Sequence, residues 1–243
     1  MKNSKRELNF FFKSYKGLED FHLPIFKEVK EICRPEKVLY PGCFRHISCS
    51  VIFEDVTYVD CDNKMSKFFE DVEVDKFVEE KKFYKGDTKK IFILSNFENK
   101  FAEIEKFDLL ISMSAGLVSN SCTKYLKKGG YFLVSDAHFD ARNLFLKPHF
   151  KLISVYNNET KKFEDDPSIL EQHFHLVSGE EIDEKIVTES INKPKNQRKF
   201  KLKKESLFYL FQKISFEEDP KKENKRKNEK EKKSENLKKR NKK

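Results

Sequence analysis

Tryptophan is absent from this chain, so its 25 phenylalanines, with Leu and Ile, must build the core. No apolar run approaches the ~18 residues a membrane span requires. The stretch Leu8-Asn9-Phe10-Phe11-Phe12 after the charged start is too short for a signal peptide. A membrane-spanning helix is thereby excluded, and the expectation is a soluble, cytoplasmic protein. No two of Cys33, Cys43, Cys49, Cys61 and Cys122 form a C-x-x-C pair, and five thiols cannot all pair within one chain. Reduced cysteines are therefore expected. No internal repeat is visible.

The formal charge of +9 is concentrated at one end. Residues 220–243 hold 13 Lys and Arg against 4 Asp and Glu, which leaves 37 of each sign in residues 1–219. From Glu217 onward Leu237 is the one apolar residue, so 217–243 reads as a disordered Lys/Glu-rich tail. The remaining 1–216 is long enough for one sizeable α/β domain.

Phe21, Ile25, Phe26, Val29 and Ile32 repeat at helical spacing, and Pro35 ends that helix. Strands are expected at 37–40, 56–60, 90–96, 107–112, 131–135 and 150–156, with a last one at 206–214. The third strand, Lys90 to Asn96, reads as apolar and buried on both faces. Helical segments fall at 44–53, 64–69, 74–78 and 141–145. Leu117 to Lys127 reads as a crossover helix stopped by Gly129-Gly130. Residues 157–206 are polar, interrupted by Pro167 and Pro194, with a helix near 179–191. Strands alternating with helices predict a doubly wound, mostly parallel sheet.

Within that pattern one unit carries chemistry. Strand one ends in Tyr40-Pro41-Gly42-Cys43, and eighteen residues past Gly42 strand two ends on Asp60. A glycine at one tip lets a ligand approach backbone, and a carboxylate at the next accepts from a ribose diol. Asp62 is the expected cap of the following helix. Arg45 and His46 open the segment after Gly42, where a ligand carboxylate would meet positive charge. Asp136 and His138, beyond strand five, are the candidates for base chemistry at the same end of the sheet. His173-x-His175 lacks an acidic or cysteine partner at ligand spacing, so no metal is expected.

The order of these segments resembles the class I S-adenosylmethionine-dependent methyltransferases over roughly residues 19–216. Val38 to Cys43 sits at the family's glycine-rich first motif and Tyr58-Val59-Asp60-Cys61-Asp62 at its second. Leu94-Ser95-Asn96-Phe97 matches the adenine-contacting stretch, and Phe107 to Ser112 the fourth-strand motif. Leu126 to Ser135 resembles the hairpin into strand five, and Tyr209 to Ile214 the terminal strand. The resemblance implies a seven-stranded sheet with an antiparallel last strand, and S-adenosylmethionine as cofactor. It assigns cofactor contact to Tyr40, Gly42, Cys43, Asp60, Cys61, Asn96, Phe97 and Ser112, with Asp60 on the ribose. The methyl acceptor is unidentified, and 157–206 becomes an acceptor-facing insertion between strands six and seven.

The chain departs from the pattern at two places. It has one glycine where the family has three, so Cys43 and Phe44 must be accommodated beside the ligand. Ser112-Met113-Ser114-Ala115-Gly116 replaces the motif of amino-methylating enzymes that act on adenine. Two other readings stay open here. One is a non-catalytic module of the same fold, RNA-associated through Lys195–Lys204 and the tail. The other is a nicotinamide-dependent oxidoreductase, against which the missing glycine fingerprint argues.

Overall fold

The structure, a computed structural model, describes residues 2–104 and 106–215. The tail at 217–243 lies outside the described residues. Among the described residues eight strands form one sheet: β1 (Val38–Pro41), β2 (Asp55–Asp60), β3 (Lys89–Leu94), β4 (Phe107–Ser112), β5 (Leu126–Ser135), β6 (Phe150–Asn157), β7 (Lys162–Glu164) and β8 (Phe208–Lys213). Their order is β3-β2-β1-β4-β5-β8-β6-β7. The strands from β3 to β5 run parallel, and β8 enters antiparallel between β5 and β6. This is the expected methyltransferase-type sheet with its antiparallel last strand. The eighth strand, β7, is a three-residue edge partner of β6 that follows a tight turn at Asn157.

Among the described residues eight helices flank the sheet: α1 (Lys2–Cys33), α2 (Cys49–Ile52), α3 (Asn63–Phe69), α4 (Val72–Lys81), α5 (Val118–Ser121), α6 (Asp140–Phe145), α7 (Pro167–Leu170) and α8 (Glu184–Asn192). Aspartates start four of them. Asp62, Asp71, Asp166 and Asp183 each accept a main-chain N–H of the first turn. The helices lie in two layers. Val38, Tyr40 and Tyr58 face α1–α4, while Leu39, Val59, Leu110 and Phe132 face the opposite layer of α5, α6 and α8. Central strands are thus buried on both sides, as a parallel sheet requires.

Two expectations are corrected. β3 is an edge strand, and Ile91 and Leu94 are 49% and 51% exposed, so it is not buried on both faces. Phe92 packs on the α1–α4 cluster and Ile93 on the opposite one, while Ile91 and Leu94, one from each face, stay exposed; the apolar run reflects partial cover and β propensity. The crossover helix is only α5 followed by a single 3-10 turn, Thr123–Tyr125. Gly129-Gly130 lie inside β5 instead of ending a helix. Phe107 pairs with Leu126 but Leu109 with Tyr131, so four residues of β5 bulge out opposite Asp108. Gly129 takes φ +82°, and a Cβ on Gly130 would lie 3.0 Å from the Asp108 carbonyl oxygen. A glycine pair satisfies both demands.

Among the described residues no helix is long and apolar enough to cross a membrane. All five cysteines are free.

Candidate functional site

The C-terminal tips of β1, β2 and β3 lie side by side in the sheet. The chain leaves β1 through Gly42 at φ +62°, its N–H donating to the Val59 carbonyl at 2.7 Å. Phe44 also adopts a left-handed conformation, φ +46°. That twist turns the Phe44 N–H toward Asp60, whose Oδ2 accepts it at 2.8 Å. The Asp62 N–H donates to Oδ1 of the same carboxylate at 2.9 Å. Two main-chain donors therefore fix the Asp60 carboxylate at the β2 tip. Each oxygen keeps a free lone-pair direction, since a carboxylate accepts about four hydrogen bonds. Asp62 caps α3, as expected, through the Lys64 N–H at 2.9 Å.

Beside this pair stand Asn96 and Phe97. Asn96 is exposed and bends the loop after β3 by accepting the Glu98 N–H at 3.0 Å. The Phe97 ring and Ala115, from the loop after β4, lie against Gly42. Cys61 is exposed. The other residues of the expected set face elsewhere. Tyr40 and Cys43 are fully buried in the α1-side core. The Tyr40 hydroxyl meets His46 Nδ1 at 2.7 Å, and His22 packs on His46 with ring centroids 5.0 Å apart. Burial holds His46 at about 4 and, helped by His46, His22 at about 3. Burial also pushes the Cys43 thiol well up, so it is not a thiolate. Ser112 is buried too, donating to Asp140 Oδ2 at 2.8 Å, while Asp140 Oδ1 accepts the Ser119 N–H. It holds α6 against β4 and α5. The Arg45 guanidinium lies over the Phe44 ring at 4.1 Å.

A cavity of about 700 Å³ opens at the tips of β4, β5 and β8. Phe21, Phe139 and Phe208 supply apolar wall; Ser114, Asp136 and Arg198 supply polar groups. Asp136 stands at the β5 tip, whereas His138 is exposed and does not line the cavity. Arg142 of α6 holds Asp136 through Nε to Oδ2 at 2.7 Å. Its Nη1 donates to Ser190 Oγ at 2.9 Å and its Nη2 to Glu205 Oε1 at 2.7 Å. Burial pushes the Asp136 carboxyl up to about 6, against the pull of this guanidinium. One buried arginine thus ties a strand tip to two separate places in segment 157–206.

Arg142, Ser190 and Glu205 were missed in the sequence. The available signal was Arg142 itself, a lone charge in the otherwise packing run Ala141-Arg142-Asn143-Leu144-Phe145. His173 is 1% exposed and its Nδ1 faces the Tyr209 hydroxyl at 3.5 Å, while burial lowers it to about 4. Among the described residues no cluster of His, Cys, Asp or Glu is arranged to hold a metal.

No protein-family model matches the chain, and no curated protein matches it in sequence. Solved structures do overlay on it. A methyltransferase of Mesorhizobium loti, S-adenosylmethionine dependent, matches 41% of this chain and 45% of its own, at 16% identity and TM-score 0.31. The N-methyltransferase NodS of Bradyrhizobium japonicum, solved with S-adenosyl-L-homocysteine, matches 48% of this chain and 60% of its own, at 12% identity and TM-score 0.36. A protein of Methanococcus maripaludis, described as a candidate S-adenosyl-L-methionine-dependent methyltransferase, matches 89% of this chain and 95% of its own, at 12% identity and TM-score 0.47. The chain covers less than half the length of the first structures it matches, at 47%, 43% and 45%. At these scores the overlays are a likeness in fold and carry nothing about ligand or acceptor. The class I methyltransferase fold rests on the strand order and directions of the sheet itself.

Proposed function

We propose that this chain transfers a methyl group from S-adenosylmethionine to an acceptor entering the cavity at the β4, β5 and β8 tips. The observation that supports it is the Asp60 carboxylate, oriented by the Phe44 and Asp62 N–H groups with accepting capacity left on each oxygen. That group suits a ribose diol, and exposed Asn96 with the Phe97 ring suits an adenine beside it. When bound, the cofactor supplies an electrophilic methyl on a sulfonium. What the chain must do is align the acceptor, because an in-line displacement gains most from positioning. Phe139 and Phe208 orient a flat acceptor, and segment 157–206, tied down by Arg142, excludes water from one side. Asp136 is engaged by Arg142, so its part is to hold Arg142 and the cavity wall in register.

Calorimetric titration with S-adenosylmethionine and S-adenosyl-L-homocysteine tests this reading. Asp60→Asn keeps the shape, removes the charge and should weaken binding about tenfold or more. No heat from either ligand with the folded wild-type chain overturns it. The non-catalytic alternative is favoured by one observation, the filling of the space beside Gly42 by Ala115. It would then be the reading left.

A further inference from the structure

We propose that the acceptor is a base of single-stranded nucleic acid, its ring in the 700 Å³ cavity and its flanking phosphates on Lys199–Lys204; this rests on the methyl-transfer reading. The first observation is the character of the cavity. Its aromatic walls, Phe21, Phe139 and Phe208, offer ring faces and edges to a planar group. The volume is ample for one nucleobase and its sugar.

The second observation is where positive charge is left over. Inside the cavity, Arg142 is spent on Asp136, Ser190 and Glu205, and Lys195 Nζ reaches Glu205 Oε2 at 3.1 Å. Arg198 is different. It lies over the Phe139 ring at 4.5 Å and donates to the main-chain carbonyls of Lys193 and Ser190. Among the described residues it meets no carboxylate within ion-pair distance, so its charge is available at the mouth of an aromatic wall.

From that mouth the chain continues through Lys199, Lys201, Lys203 and Lys204, all exposed. Among the described residues none of the four makes an ion pair. The segment is held in place: Leu202 is buried and bridges to Leu176, Lys204 bridges to His173, and the Lys203 N–H donates to the His175 carbonyl at 2.8 Å. A pinned strip of unpaired cations between two stretches that line the aromatic pocket, Arg198 and Glu205–Phe208, matches a polyanion that offers one ring and several phosphates. A small aromatic acid would need Arg198 alone and would leave the strip unused.

The experiment uses the full chain and a fluorescent single-stranded RNA about ten nucleotides long, followed by anisotropy at several salt concentrations. The charge-reversed variant K199E/K201E/K203E should bind at least about tenfold more weakly, with a salt slope reduced by about 2. A photoactivatable 4-thiouridine in the RNA should cross-link to peptides containing Phe139 or Phe208. Wild-type-like RNA binding by the variant overturns the proposal. Cross-links confined to the strip, or displacement of the RNA by a small aromatic carboxylate at equal potency, do the same. None of these measurements requires the methyl donor. A failure here is therefore distinguishable from failure of cofactor binding, which calorimetry reads separately.

Discussion

Gly42 and Ala115 are in direct contact: a Cβ on Gly42 would lie 2.3 Å from the Ala115 Cβ. The tips of two neighbouring strands, β1 and β4, are thereby packed against each other beside Asp60, the candidate ribose ligand. Gly42→Ala meets two separate penalties. One is the clash, typically 1–3 kcal/mol for overpacking, and the other is the left-handed backbone, about 1–2 kcal/mol. Ala115→Gly should relieve the first and leave the second. Denaturant unfolding of the two single variants and the double variant measures this. The double variant should recover only part of the loss; recovery to wild type would mean that the φ of +62° carries no strain.

Much of the fold was readable because the apolar segments were short, bounded and regularly spaced. Val38 to Tyr40, Val56 to Asp60 and Phe107 to Ser112 could be little else than central strands. What escaped depended on partners far away in sequence. The exposure of Ile91 follows from β3 having no neighbour on one side, which no local pattern records. Asp60 was legible as a strand-tip carboxylate, but its orientation by Phe44 depends on a left-handed phenylalanine that sequence does not announce. The Arg142 clamp joins residues 6, 48 and 63 positions apart. Its logic appears only when α6, α8 and the start of β8 converge.

The β5 bulge gives a second test of backbone chemistry. A Cβ on Gly130 would lie 2.9 Å from Leu126 Cδ1 and 3.0 Å from the Asp108 carbonyl oxygen. The leucine tip can shift, whereas the carbonyl belongs to β4. Gly130→Ala should therefore destabilise by about 1–3 kcal/mol, and Leu126→Val should not rescue it. Urea midpoints of the two variants, alone and combined, decide the matter. Rescue would show that the side-chain contact is the one that counts.

Arg142 should be the most costly polar residue to remove. Arg142→Met leaves the Asp136 carboxylate, 8% exposed, without its cation, a loss of about 3–5 kcal/mol. Glu205→Gln, at the exposed end of the same guanidinium, should cost under about 1 kcal/mol. Limited proteolysis gives a second readout, because the methionine variant frees segment 157–206 from α6. Cleavage within 184–205 should become faster in Arg142→Met and stay near wild type in Glu205→Gln. Equal stability losses in the two variants would contradict the clamp.

Acid stability should depend on the pair His22 and His46, packed with Tyr40 beneath the β1 turn. Burial holds them at about 3 and about 4, below the 6.5 of an unfolded histidine. With the folded values depressed, their contribution to stability is present above about pH 6.5. It is lost as pH falls through about 4 and then 3, because the unfolded chain takes up the protons first. For His46 the loss is on the order of 3 kcal/mol by pH 4. His46→Gln retains a hydrogen-bond partner for Tyr40 and removes the titration. Between pH 7 and pH 4 its urea midpoint should therefore fall less than that of the wild type. Parallel curves for the two proteins would place the acid sensitivity elsewhere, with His173, also held at about 4, the next residue to replace.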